Sequence, residues 1–282
     1  MEVIISPHSG FCPGVSAAVH KTLETLEKYG TGVRTLGPII HNPLFIEVLE
    51  DKGIYPIAYL DEAVPVGTGG GRILVSRAHG ISNKQISEAI MKGFDVVDVT
   101  CPSVQKIHDL TLDYESKGYR TIIFGDRNHP EVKAVIDDLT NPIVIMDASE
   151  ISGTKIYRAL LVSQTTQERW QFNQIAEELK KDIEELVVQD TICPVTRERQ
   201  DSAAELAKRV DLMIVLGGRN SSNTRHLYDV CSRIKKTILI ERSAELEPFR
   251  EEIRASNVIG ITAGASTPEY QIEDVVDTLK RT

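Results

Sequence analysis

Only four cysteines occur among the 282 residues, and no two of them form a C-x-x-C pair. A compact zinc finger or a ferredoxin-type cluster run, each of which draws its ligands from one short stretch, is thereby excluded. Any metal site built from these sulfurs must be assembled from distant parts of the chain. Basic residues are in deficit: 32 Lys and Arg face 41 Asp and Glu, a formal net charge of −9, with no basic cluster along the chain. Binding to nucleic acid or to an anionic membrane surface depends on clustered Lys and Arg and is not expected. No apolar run approaches membrane-spanning length, and the opening Val3-Ile4-Ile5 lacks the basic start and long apolar core of a secretory signal. These absences point to a cytosolic protein whose cysteines are thiols or metal ligands rather than a disulfide framework.

What remains is an ordinary globular composition, 41% hydrophobic and 26% charged, in a chain long enough for two average domains or three small ones. Strand-like apolar runs alternate with segments of helical period, the pattern of α/β units with parallel strands. The chain also repeats itself. Phe11-Cys12-Pro13, Thr100-Cys101-Pro102 and Ile192-Cys193-Pro194 recur at intervals of 89 and 92 residues, the last two following Asp98 and Asp190 at the same offset. Gly37, Gly125 and Gly217 follow these cysteines by 25, 24 and 24 residues, and four residues beyond each glycine come His41, His129 and Ser221 at expected helix starts. A third strand in each unit leads into Ser76-Arg77-Ala78-His79-Gly80, Ser163-Gln164-Thr165-Thr166 and Thr262-Ala263-Gly264-Ala265-Ser266. The expected fold class is therefore α/β: three pseudo-threefold-related α/β domains with mainly parallel sheets around a central cavity. The units run 14–96, 97–193 and 194–282, with residues 1–13 returning to the third.

Ligands in open α/β sheets bind beyond the carboxyl ends of strands, where helix N-termini present N–H groups to anions. Every marked residue lies at such an end. Proline after each cysteine suits the first helical turn and leaves the sulfur near the N-cap, where the helix dipole favours thiolate, the form that iron requires. Three thiolates around a [4Fe-4S] cluster would leave one iron without a protein ligand, open to a substrate oxygen. The alternative, three structural core cysteines, does not explain why they stand in phase with the repeat. Cys231 has no repeat counterpart and shares a helical stripe with Leu227, Val230 and Ile234, so it is expected in the core. The cavity would also hold His41, His79, His129, the Thr165-Thr166 pair, Ser221, Ser222, Asn223 and Ser266, which are suited to phosphate. Glu131 follows His129 by two residues. Beside a bound anion it would retain its proton and serve as general acid, although a glutamate in a first helical turn has a simpler electrostatic explanation.

Phe-Cys-Pro-Gly-Val at 11–15, Gly-Pro-Ile-Ile-His-Asn-Pro at 37–43, Arg-Ala-His-Gly at 77–80 and Asn-His-Pro-Glu-Val at 128–132 resemble, in order, the 4-hydroxy-3-methylbut-2-enyl diphosphate reductase family. So do Ser-Gln-Thr-Thr at 163–166, Asn-Ser-Ser-Asn at 220–223 and Ala-Gly-Ala-Ser-Thr-Pro at 263–268. The resemblance implies a [4Fe-4S] cluster bound by Cys12, Cys101 and Cys193, and reduction of the hydroxylated diphosphate to isopentenyl and dimethylallyl diphosphate. It implies proton delivery by Glu131 with Thr165, and diphosphate binding by His41, His79, His129, Thr165, Ser221, Ser222, Asn223 and Ser266. A ferredoxin or flavodoxin is the electron donor it implies. Ala78 and Val99 stand where the family more often has Ser and Ala. Two other readings are a quinolinate-synthase-like cluster enzyme and a non-catalytic iron–sulfur sensor. The first would not need diphosphate-binding histidines, and the second would carry a DNA-binding or partner module, which the sequence does not display.

Overall fold

A computed structural model of the protein describes residues 1–30, 33–62 and 72–281. The apolar runs form strands β1 (Glu2–Ile5), β2 (Val33–Leu36), β3 (Ile54–Ile57), β4 (Arg72–Val75), β5 (Phe94–Val97) and β6 (Arg120–Phe124). They continue as β7 (Ile143–Ile145), β8 (Arg158–Ser163), β9 (Glu185–Val188), β10 (Leu212–Leu216), β11 (Thr237–Ile240) and β12 (Val258–Ala263). The helices between them are α1 (Pro13–Tyr29), α2 (Pro43–Asp51), α3 (Asn83–Met91), α4 (Pro102–Ser116) and α5 (Pro130–Asp137). After these come α6 (Arg169–Asp182), α7 (Pro194–Ala207), α8 (Ser222–Ser232), α9 (Arg250–Ala255) and α10 (Glu269–Arg281).

The strands assort into three four-stranded sheets with one order repeated: β3-β2-β4-β5, β7-β6-β8-β9 and β11-β10-β12-β1. All neighbouring strands are parallel. In the third sheet the fourth place is filled by the first strand of the chain, with Val3 opposite Ile259 and Ile5 opposite Ile261. The α/β class with three parallel sheets is thus the observed architecture. No helix among the described residues is long and apolar enough to cross a membrane.

The contacts divide the chain into two compact units. One comprises residues 1–16, 41–47 and 194–282 and contains the β11-β10-β12-β1 sheet. Successive side chains of β10 point to opposite faces, as a strand requires. Leu212, Ile214 and Leu216 pack with Ile259, Ile261 and the α10 residues Ile272, Val275 and Leu279. Met213 and Val215 face Ala203, Leu206, Leu227 and Cys231 on α7 and α8. Each Leu, Ile, Val or Met among them contributes about 1.5–3 kcal/mol by leaving water. Cys231 is fully buried, and burial pushes its thiol up to about 12. Ile234 does not join this core: α8 ends at Ser232, which releases Ile234 to 39% exposure.

The other unit, residues 17–40 and 48–193, contains the remaining two sheets. Ile122, Phe124 and Leu161 pack beneath Phe172, Ile175 and Leu179 of α6. The opposite-facing Ile123, Leu160 and Val162 pack against Ile107 of α4 and against Val132 and Val135 of α5. The β3-β2-β4-β5 sheet has its own cluster of Leu36, Ile57, Leu74, Ala89 and Phe94.

Candidate active site

Each repeated cysteine is held by the same backbone bond. The Cys12 N–H donates to the Ala265 carbonyl at 3.2 Å, Cys101 to Ala78 at 3.1 Å and Cys193 to Thr165 at 3.0 Å. In every case the acceptor lies in the loop after the third strand of the sheet, and the cysteine follows the fourth strand. The residue after each acceptor is a polar candidate: Ser266, His79 or Thr166. Ala78 acts through its carbonyl, so the Ala-for-Ser difference noted above leaves this bond in place.

The glycines repeat in the same way: Gly37 donates to Ile57, Gly125 to Ile145 and Gly217 to Ile240, at 2.8–3.0 Å. Proline opens the helix after each sulfur, and Cys101 is the N-cap of α4 in an extended conformation. All three cysteines are half-buried thiols. Cys12 Sγ accepts the Val15 N–H at 3.4 Å, and Cys193 Sγ accepts the Ser103 hydroxyl at 3.6 Å. Hydrogen bonds into sulfur suit a metal–thiolate site, whose properties they adjust. Ser103 lies two residues after Cys101, so that bond also sets the start of α4 beside Cys193.

Glu131 occupies the first turn of α5 and is 2% exposed. Its two carboxyl oxygens accept the Thr165 N–H and hydroxyl, both at 2.6 Å. Burial raises its pKa to about 7, although the Thr165 bonds pull the other way. A carboxyl that can hold or release a proton near neutrality is suited to general acid catalysis. His129 is the N-cap of the same helix, and its Nδ1 accepts the Glu131 N–H at 3.2 Å, so a neutral ring carries its proton on Nε2. The His79 and His129 rings meet edge to face, 5.6 Å between centroids. Within this unit the fold therefore brings together His79, His129, Glu131 and Thr165, with Cys101 and Cys193 anchored on the loops that carry His79 and Thr165.

In the other unit the Ser266 hydroxyl donates to the His41 carbonyl at 3.0 Å, and a Cβ on Gly218 would fall 2.8 Å from that same oxygen. Only a glycine lets these two backbones approach so closely. Ser221 is the N-cap of α8 and accepts the Thr224 N–H. Ser221, Ser222 and Asn223 are each 4% exposed, and neither amide atom of Asn223 has a hydrogen-bond partner. Leaving buried polar atoms unsatisfied costs about 1–3 kcal/mol each, which fits a side chain reserved for a ligand. The sequence reading missed Asn42. His41 is not at the helix start; Asn42 is, with its Oδ1 accepting the Phe45 N–H at 3.1 Å. Its Nδ2 donates to the Ser266 carbonyl at 2.8 Å and to Gln271 at 3.0 Å, tying the His41 loop to the Ser266 loop. Asn before Pro and a helix was the signal available in the sequence.

A model of the LytB protein family matches residues 3–280. The 4-hydroxy-3-methylbut-2-enyl diphosphate reductase of Caldanaerobacter subterraneus subsp. tengcongensis is 41% identical, over 99% of this chain and 97% of that protein. The Clostridioides difficile protein of the same name is 38% identical, over 99% of both chains. A solved structure of (E)-4-hydroxy-3-methyl-but-2-enyl diphosphate reductase, described as the terminal enzyme of the non-mevalonate pathway, is similar with a TM-score of 0.71 at 36% identity, covering 100% of both chains. A second, the E-1-hydroxy-2-methyl-but-2-enyl-4-diphosphate reductase of Plasmodium falciparum, reaches a TM-score of 0.90 at 27% identity, over 98% of this chain and 87% of that one. The repeated cysteine frames, the buried Glu131–Thr165 pair and these end-to-end matches lead to one conclusion: the chain belongs to the LytB family.

Proposed function

We propose that this chain reduces 4-hydroxy-3-methylbut-2-enyl diphosphate to isopentenyl and dimethylallyl diphosphate, with a [4Fe-4S] cluster held by Cys12, Cys101 and Cys193. The observation that carries the reading is the repetition of one frame around three half-buried thiols: a carbonyl from the third-strand loop holds each cysteine N–H, and a proline-led helix follows. Three thiols fit a cluster that keeps one iron open, and such a cluster, when bound, would pass on the donor's electrons and offer a Lewis-acidic site for the substrate hydroxyl. In the same reading the sheets are three domains, 14–96, 97–193 and 194–282, with residues 1–13 completing the third, around a central cavity.

The chain's own residues bind and protonate. His41, His79, His129, Ser221, Ser222, Asn223 and Ser266 hold the diphosphate; the amide of Asn223 gains there the partners it lacks. The reaction takes up two electrons and two protons: the C–O bond breaks, the hydroxyl leaves as water with one proton, and the other proton ends on carbon. Glu131 holds that proton at its carboxyl, with Thr165 bonded to both oxygens and relaying transfer toward the substrate. Protonation at either end of the allylic system accounts for two products. A ferredoxin or flavodoxin supplies the electrons, and the cytosol, where thiols stay reduced, is the place of reaction. Anaerobic protein with reduced viologen and the hydroxylated diphosphate tests the reading: the two isomeric diphosphates are expected, and a colourless, zinc-binding protein without turnover contradicts it.

A further inference from the structure

Helix α5 places His129 and Glu131 at one end and two aspartates at the other. A negative charge at a helix C-terminus opposes the helix dipole, so Asp137 and Asp138 gain nothing from α5 itself. Their partners are elsewhere. The Asp138 carboxylate accepts the Asn83 N–H at 2.8 Å and the Lys84 N–H at 3.2 Å, the exposed amides at the start of α3. Asp137 accepts the hydroxyl of Ser82, the N-cap of α3, and its carbonyl accepts Lys84 Nζ. Asp138 Oδ2 also lies 3.7 Å from His108 Nδ1 on α4, and both side chains are 5% exposed. Helix α3 begins directly after the loop that carries His79, and α4 directly after Cys101. The loop has no slack: Gly80 sits at φ +79°, and a Cβ there would meet Thr100 and Val104 at 3.3 Å and His108 Nε2 at 3.4 Å.

We infer that Asp138 is a positioning residue that locks three parts of the site to one another: the His79 loop, the α4 helix that follows Cys101, and the α5 helix that bears His129 and Glu131. It touches none of the reacting groups. Its carboxylate fixes where α3 starts, which fixes where His79 stands against the His129 ring. The inference rests on the diphosphate-binding role proposed above for those histidines. Asp138→Asn keeps the size but leaves one acceptor oxygen for two N–H donors and turns an amide N–H toward the other, so the lock loosens without emptying space.

The test compares wild type and Asp138→Asn holoprotein in three measurements: affinity for inorganic diphosphate, KM and kcat with the hydroxylated diphosphate, and hydrogen exchange of the Asn83 and Lys84 amides. The lock predicts about tenfold weaker diphosphate binding and a KM raised about tenfold, while kcat falls by less than about threefold. Exchange at both amides should speed up while iron content holds. Unchanged diphosphate affinity and KM with faster exchange would overturn the inference, because a merely structural aspartate would give that pattern. If Asp138→Asn does not fold, Ser82→Ala opens the neighbouring bond, and the same affinity comparison decides, with diphosphate binding about threefold weaker expected and no change contradicting. If wild type binds diphosphate but reduces nothing, the functional reading fails while the affinity comparison still judges the lock.

Discussion

At the start of the β7-β6-β8-β9 sheet, the half-exposed Glu185 accepts from Arg158 at 2.6 Å and also from Tyr119. Bonds from Arg158 and Tyr119 hold its carboxyl below the usual range. At the far end of the same sheet, Glu131 is buried, bonded to Thr165, and raised to about 7. The two glutamates differ in solvent and partner, not in chemistry. One end of the sheet fixes a charge as ordinary protein surfaces do; the other withholds water and a full countercharge, which raises the carboxyl toward neutrality. Glu185 on β9 and Glu131 on α5 thus mark one end that fixes a charge and another that can hold a proton near neutrality.

The comparison breaks most sharply at Glu131. Glu131→Gln should retain iron and sulfide but lose about 10²–10⁴ in kcat, the usual worth of a general acid, as read by steady-state product formation. Full activity would remove Glu131 from proton delivery. The next effect is on stability. Glu131 binds its proton more tightly folded than unfolded, so its contribution is complete below pH 4.5 and is lost as pH rises through about 7. Between those limits urea unfolding should find about 3 kcal/mol of stability lost in wild type and not in Glu131→Gln. A smaller loss is expected from Gly80→Ala, about 1–2 kcal/mol, because φ +79° and the contacts to Thr100 and Val104 both resist a Cβ. Its turnover should fall more than its stability alone explains, since the His79 loop must shift. Glu185→Gln should change neither turnover nor thermal stability measurably, because exposed ion pairs contribute little. A large effect there would erase the distinction between the two ends.

Much of this site could be read from the sequence because it follows short-range rules. Cys-Pro at a strand end, glycine where a strand stops, and a polar residue at a helix start are local signals, and Cys101, Gly217, His129 and Ser221 stand where those rules put them. Cys231 was likewise legible from helical period, whereas Ile234 was not, since nothing local announces that α8 ends at Ser232. Contacts made over long separations were hidden. For Asn42 the cap is legible in Asn-Pro before a helix, but its ties to Ser266 and Gln271 span more than 200 residues. Arg199 lies in a charge-rich helix, yet it is 1% exposed and its guanidinium donates to the Ala263 and Gly10 carbonyls at 2.5 and 2.9 Å. That pair of bonds closes over the loop that leads into Cys12, a role that only the folded chain reveals.

The proposed function requires Cys12, Cys101 and Cys193 to bind one cluster together. Anaerobic reconstitution of Cys12→Ser, Cys101→Ser, Cys193→Ser and Cys231→Ser, read by iron and sulfide content and by paramagnetic resonance after reduction, addresses it directly. Each of the first three is expected to fail to hold an intact [4Fe-4S] cluster, and Cys231→Ser to match wild type. A normal cluster in any of the first three, or its loss in Cys231→Ser alone, would contradict that requirement.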